Sequence, residues 1–162
     1  MPSELVDRGR YSSLEVFGIE YVDREFELWD REHQLDGMIL GVVVENTSGE
    51  VQRFWSRNLE VIDSNGFSYA PSDDKSFSIL SENIPSGWYI ELSNVKPSRK
   101  YRYLGYIKGF HGEIGRISYT DRDGSKEFAD NLDIDLTNVS TDEIGGLPII
   151  DDAIEETLQQ DY

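Results

Sequence analysis

Between residues 14 and 136 the apolar positions recur mainly with a period of two, the spacing that sends alternate side chains to opposite faces of a strand. "LEVFGIEYV" (14–22) sets Leu14, Val16 and Gly18 on one parity and Phe17, Ile19 and Tyr21 on the other. "EFELW" (25–29) alternates Phe26 with Leu28 and reads as a second, short strand. "GMILGVVVEN" (37–46) is a continuous apolar run of strand length, and its β-branched valines favour a strand over a helix. It is expected to be the central core strand. "VQRFW", "NLEVID", "WYIELSNV", "GRISYT" and "KEFADNLDIDL" continue the pattern. In "YRYLGYIKGF" the residues Tyr101, Tyr103, Gly105 and Ile107 share one face. Asn65-Gly66 and Asp123-Gly124 each fall between patterned stretches, a signal for a tight hairpin. The polar connection 71–87 holds Phe77, Ile79 and Leu80 as a small anchored turn. The spacing predicts about eight or nine short strands and an all-β sandwich, with no internal repeat.

The ends differ. Residues 1–12 are polar and expected to form a flexible lead-in, leaving 13–136 as the β-sandwich domain. Residues 137–162 are read as a linker, "TDEIGGLP", followed by a short acidic helix. Ile150, Ile154 and Leu158 lie on one face of that helix, and Asp151 and Asp152 suit its N-terminus. A helix this short is marginal alone, so it must dock on the sandwich, bind a partner or fray.

Charge narrows the environment. The 162-residue chain carries 32 acidic and 15 basic side chains, a net charge of −17, and the acids are spread along its length. A spread indicates an acidic folded surface, where a block would indicate a disordered tail. Such a surface repels itself unless salt screens it, within about 3 Å at 1 M. With Lys sparsely used, this points to a halophilic source. The same charge opposes nucleic acid and anionic membranes, and no apolar run approaches the roughly 20 residues of a membrane span. "MPSELVDRGR" lacks the apolar core of a signal peptide. The expected location is cytoplasmic if Met1 is the native start, and otherwise export with a leader removed.

Candidate chemistry is sparse, and no cofactor is implied. The chain has no cysteine, which excludes disulfides, thiolate metal sites and a cysteine nucleophile. "TDRDGS" looks like part of a calcium loop. With Gly124 at the sixth loop position, Asp121 and Asp123 fall at the third and fifth and Asp130 at the twelfth, but Tyr119 falls at the first. "DSNG" (63–66) fails at both ends of the same count. Hairpin corners explain both stretches more simply. His33 and His111 lack zinc-site spacing and read as surface or loop residues. "SDDK" (72–75) matches a Ser-x-x-Lys pattern without its companion motifs and reads as chance. The sequons at Asn46 and Asn138 are expected to be silent. "KPSRKYRY" is the one basic cluster: Lys96, Arg99, Lys100 and Arg102, interleaved with Tyr101 and Tyr103. It reads as a sandwich loop feeding a strand whose tyrosines face the core; the functional alternatives are a phosphate or a strand of nucleic acid, which the net charge opposes, and an acidic partner segment. Trp29, Trp55 and Trp88 serve either as core and rim residues or as platforms for sugars.

"VVVENTSGEVQRFW", "LEVIDSNGFSYAP" and "SNVKPSRKYRYLGYIKG" together resemble the telokin-like, immunoglobulin-like domains of bacterial and archaeal surface lipoproteins. The resemblance covers about residues 37–136. It rests on a strand ending in Asn, an Asp-x-x-Gly turn followed by an aromatic residue, and a Pro-bearing loop before a strand. The chain departs from it in lacking the lipoprotein leader and in reading Pro97-Ser98-Arg99 where the family has Pro-Gly-x. The resemblance implies an immunoglobulin-like antiparallel β-sandwich without a catalytic site. The expectation is therefore a non-catalytic interaction or accessory module of a halophilic, archaeal organism, not an enzyme, with an unidentified protein partner. The basic cluster and the face formed by Ile150, Ile154 and Leu158 are its candidate contacts. The alternative is a ligand-binding module for carbohydrate, or for calcium at the sandwich loops.

Overall fold

The computed structural model describes residues 5–120 and 131–159. Eleven strands occur among them: β1 (Val6–Arg8), β2 (Ser12–Leu28), β3 (Arg31–Asn46), β4 (Gln52–Arg53), β5 (Leu59–Asp63), β6 (Ser68–Tyr69), β7 (Trp88–Tyr89), β8 (Asn94–Val95), β9 (Lys100–Lys108), β10 (Ile114–Tyr119) and β11 (Leu132–Asp135). Helices α1 (Lys75–Ser78), α2 (Thr141–Ile144) and α3 (Pro148–Gln159) and 3-10 turns at Ser56–Asn58 and Ile79–Asn83 complete it. One sheet has the order β1-β2-β3-β9-β7, a second β11-β10-β5-β6, and β4 pairs with β8. The chain is thus mostly β-structure in several sheets, as a sandwich requires.

The two large sheets share one core. Leu14, Val16, Met38, Leu40, Val42 and Tyr103 of the first pack with Val61, Ile117 and Ile134 of the second. Tyr101, Tyr103 and Ile107 of β9 point into this core, and Leu104 and Tyr106 point the other way. That opposite face is covered by helices. Phe77 and Leu80, from α1 and the turn after it, and Ile150, Ala153 and Ile154 of α3 pack there with Phe26, Leu35 and Ile39. The first sheet is therefore apolar on both faces, which explains the unbroken run at 37–44.

The period of two changes phase inside β2. Val16 pairs with Val42 and Gly18 with Gly41, so Phe17 is an extra residue, a β-bulge. Before it, Leu14 and Val16 face the second sheet; after it, the odd residue Ile19 does, and the even residues Val22, Phe26 and Leu28 turn to the helices. The bulge also receives the C-terminal segment. A side chain at Gly18 would lie 2.6 Å from Leu147 Cδ2 and 2.9 Å from the Gly146 carbonyl, and one at Gly41 would meet Phe17 at 2.7 Å. Two glycines side by side thus leave a bare patch that Leu147 fills, and the Ile19 N–H donates to the Gly145 carbonyl at 3.1 Å. The α3 helix follows, burying Ile150 and Ile154, each such aliphatic side chain stabilising the fold by about 1.5–3 kcal/mol.

Several expectations are corrected. Residues 5–8 are not a loose lead-in, because Leu5 is buried and β1 pairs with β2. "LEVFGIEYV" and "EFELW" are one strand of 17 residues, and the central strand begins at Arg31, not at Gly37. These strands join through Trp29-Asp30, both at positive φ (52° and 60°), a two-residue turn made without Asn or Gly. "WYIELSNV" forms only the two-residue strands β7 and β8, and β7 runs parallel to β9, so this edge departs from an antiparallel sheet. The expected linker contains α2, whose Ile144 is buried. Ile150 and Ile154 face the chain's own sheet and Leu158 is half-buried against the same cluster, so this face is not open to a partner. Asp121, Asp123 and Asp130, and the turn at Asp123-Gly124, lie outside the described residues.

Candidate functional site: a basic end and an edge cleft

The basic cluster sits at the end of the first sheet where β2 begins, β3 stops and β9 starts. Asn46, fully buried, holds this end together. Its Nδ2 donates to the Glu50 carbonyl at 2.6 Å and to the Val95 carbonyl at 2.9 Å, and its Oδ1 accepts from the Ser48 N–H and hydroxyl. Its backbone accepts from the Ser98 N–H at 2.8 Å and donates to the Arg99 carbonyl at 3.3 Å. The turn that results carries Lys96 and Arg99 outward. Pro97 supplies a fixed φ, and Ser98 adopts φ 62°, a left-handed conformation that favours glycine. The Tyr101 hydroxyl accepts from the Lys96 N–H at 3.2 Å.

All four predicted cations, Lys96, Arg99, Lys100 and Arg102, are exposed, while Tyr101 and Tyr103 are buried. Arg102 lies over the Trp88 ring, 5.1 Å from its centroid, and Trp88 meets Phe17 edge-on at 5.2 Å. The same end gathers Arg10, over Tyr11, and Arg53, whose strand β4 pairs with β8. Arg53 and Arg57 each pack on the Trp55 ring, 4.5 and 4.4 Å from its centroid. These cations are far apart in sequence, so the pattern "KPSRKYRY" showed only part of the patch. The sequence marked Asn46 as a sequon and a strand end but not as the hub of this end, and its burial leaves it inaccessible to a glycan.

Beside this end, a cleft of about 570 Å³ opens along the outer edge of β9. Its walls are Ser56-Arg57, the segment 71–78 and the segment 90–93, and its floor is Tyr103, Leu104 and Tyr106. Burial pushes the Tyr103 phenol up to about 12, with Glu91 adding to the rise and a hydrogen bond with Ser56 opposing it. Asp74 accepts from the Ser76 and Phe77 N–H groups as the N-cap of α1 and pairs with Lys108 at 3.2 Å. Sequence reasoning had no signal for this cleft, because four separated segments build it.

The other candidates resolve as follows. Trp29 is 65% exposed at the hairpin tip, and Trp55 and Trp88 are half-buried. His33 is buried on β3, contrary to the surface reading, since the strand starts early enough to set it against the helices; it stacks on Phe26 and its Nδ1 lies 3.1 Å from the Ser76 hydroxyl. His111 is exposed and contacts the Asp36 carboxylate. "DSNG" is a turn, with Gly66 at φ 91° and the Asp63 carboxylate accepting from the Asn65 and Phe67 N–H groups at 2.9 Å. Among the described residues no group of three or more metal-ligating side chains is assembled, and no helix is long and apolar enough to cross a membrane.

No protein-family model matches the chain, and no curated protein matches it. A solved structure with a similar fold is that of a functionally unknown protein from Listeria monocytogenes EGD-e. It is 15% identical, the match covers 80% of this chain and 79% of that one, and the TM-score is 0.50. At that identity the likeness concerns the fold alone.

Proposed function

We propose that the protein is a non-catalytic interaction module that uses its basic end to dock an acidic segment of a partner protein. The observation that carries this reading is the concentration of Lys96, Arg99, Lys100 and Arg102 on a rigid end of a chain whose net charge is −17. A cationic patch held by buried hydrogen bonds presents its charges without a large ordering cost, and guanidinium groups stacked on Trp rings are oriented for carboxylates. We take the fold to be immunoglobulin-like. The order β2-β3-β9 against β6-β5-β10-β11 supports this, since the chain crosses between sheets from β3 to β5 and from β9 to β10. The acidity supports a halophilic, archaeal source, where salt screens the long-range repulsion of an acidic partner and leaves short-range pairing at the patch.

The test is affinity capture in concentrated salt, comparing the wild type with the Arg99→Glu/Lys100→Glu variant. The expected result is a specific protein, retained by the wild type and lost with the variant, while the variant's melting temperature holds. Equal retention by both would remove the basic end from the interaction.

A further inference from the structure

The cleft along β9 adjoins the basic end, shares Arg57 with it, and has a chemistry of its own. It opens where β7 ends and the Ser72 N–H takes over the sheet edge, donating to the Tyr106 carbonyl at 2.8 Å. Its volume of about 570 Å³ falls within the roughly 300–1,000 Å³ of small-molecule sites. Pro71, Ile90 and Leu92, each half-buried, supply apolar surface, and hydroxyls and charged groups stand around it. Arg57 is braced on Trp55 on one wall, and Asp73 and Glu91 are exposed on the others. Asp74 is already engaged with the start of α1 and with Lys108.

This set contains strong donors and strong acceptors together. An anionic ligand that pairs with Arg57 meets Asp73, Glu91 and the overall negative charge. A cation that pairs with the carboxylates meets Arg57. A hydroxyl group donates to a carboxylate and accepts from a guanidinium, so vicinal hydroxyls satisfy both kinds of wall at once. An uncharged ligand is also indifferent to the net charge of −17. We propose that the cleft between Ser56-Arg57, Asp73 and Glu91 binds a neutral polyhydroxylated ligand, a sugar or sugar alcohol, with its C–H face on Ile90 and Leu92.

The experiment is saturation-transfer NMR on the full chain in concentrated salt, with glucose, galactose and sorbitol as neutral probes and with glucuronate and glucosamine as charged ones. Trp55 emission serves as a second readout, because its ring supports the Arg57 wall. At least one neutral probe is expected to bind and to shift Trp55 emission. The Asp73→Asn/Glu91→Gln variant should weaken it at least tenfold at an unchanged melting temperature. Glucose binding with sorbitol silent assigns the source to a cyclic sugar, and the reverse to an open polyol. Absence of transfer to every neutral probe, equal binding by the variant, or tighter binding of glucuronate or glucosamine would each overturn the proposal. The Arg99→Glu/Lys100→Glu variant should bind the neutral probe as the wild type does, which keeps the outcome separate from the docking reading.

Discussion

At one end of the first sheet, β2 begins, β3 stops and β9 starts; at the other, β2 and β3 run on beyond β9 as a two-stranded arm, since β9 pairs with β3 only from Gly37 to Glu45. The first end is basic and stitched from within. One buried amide, Asn46, serves a turn, a neighbouring strand and the chain entering β9. The arm is acidic and held mainly from behind, with His111 on the Asp36 carboxylate as a contact on its front face. Asp23 lies opposite Asp36 and Glu27 opposite Glu32, with Glu25 opposite Gln34 between them, so like charges meet at two of three pairs on the face beyond the second sheet. Its other face is secured by Phe26, Leu28 and Leu35 on the helices. Local polar organisation fixes one end; apolar burial carries the other in spite of its polar pairing. The first arrangement suits a surface that must keep its geometry, and the second needs only to be covered.

The largest break in this comparison is expected from Asn46→Ala, which leaves the Val95 carbonyl without its Asn partner and frees the 48–50 turn. A loss of about 3 kcal/mol is expected by urea denaturation, from several buried bonds and at least one orphaned acceptor. A loss below about 1 kcal/mol would mean that backbone pairing alone holds the basic end. At the arm, replacing Trp29-Asp30 by Asn-Gly puts at both left-handed positions the residues that tolerate them best. Stability should rise by about 1–2 kcal/mol, and no rise would show that the exposed indole contributes packing. Glu27→Lys turns a repulsive pair with Glu32 into an attractive one. The expected gain is up to about 1 kcal/mol at low salt, vanishing at high salt. A gain that survives salt would point to packing instead of charge.

The smallest effect concerns Glu20, midway between the ends. Its carboxyl is held above its usual value of 4.5 by desolvation, with Asp151 of α3 adding to the rise. A carboxyl raised by folding favours the folded state fully below its unfolded value, and this contribution is lost as pH rises through the folded value. Glu20→Gln should therefore melt slightly higher than wild type near neutrality, and the gap should close as pH falls below 4.5. A gap independent of pH would assign the effect to something other than the carboxyl.

Much of the fold was legible because burial imposes period on sequence. The parity of Tyr101, Tyr103 and Ile107 places all three in the shared core, and the run at 37–44 belongs to a strand covered on both sides. What misled was phase. A single extra residue at Phe17 reversed the faces within "LEVFGIEYV", the charged pair Asp23-Arg24 made one strand look like two, and Trp29-Asp30 carries none of the glycine or asparagine that marks such a turn. "WYIELSNV" alternates but gains few ladder bonds, because its ends pair with different strands. The basic end was half legible: four cations are near neighbours in sequence, while Asn46 and the Arg53–Trp55–Arg57 group reach it through the fold. The cleft was not legible, since its groups come from positions 56 to 106 and share no local pattern.

The seat of Leu147 on Gly18 and Gly41 has a further consequence, for the order in which the chain is made. The Arg24–Glu155 ion pair spans 131 residues, and the bond from Ile19 to Gly145 is of the same kind. During synthesis the first long hairpin therefore waits, with Val22, Phe26, Leu35 and Ile39 covered only in part by Phe77 and Leu80, until α3 has emerged. Contacts this distant in sequence make folding slow. A nascent chain arrested before residue 144 should be the species that chaperones hold and that aggregates, whatever the stability of the finished protein.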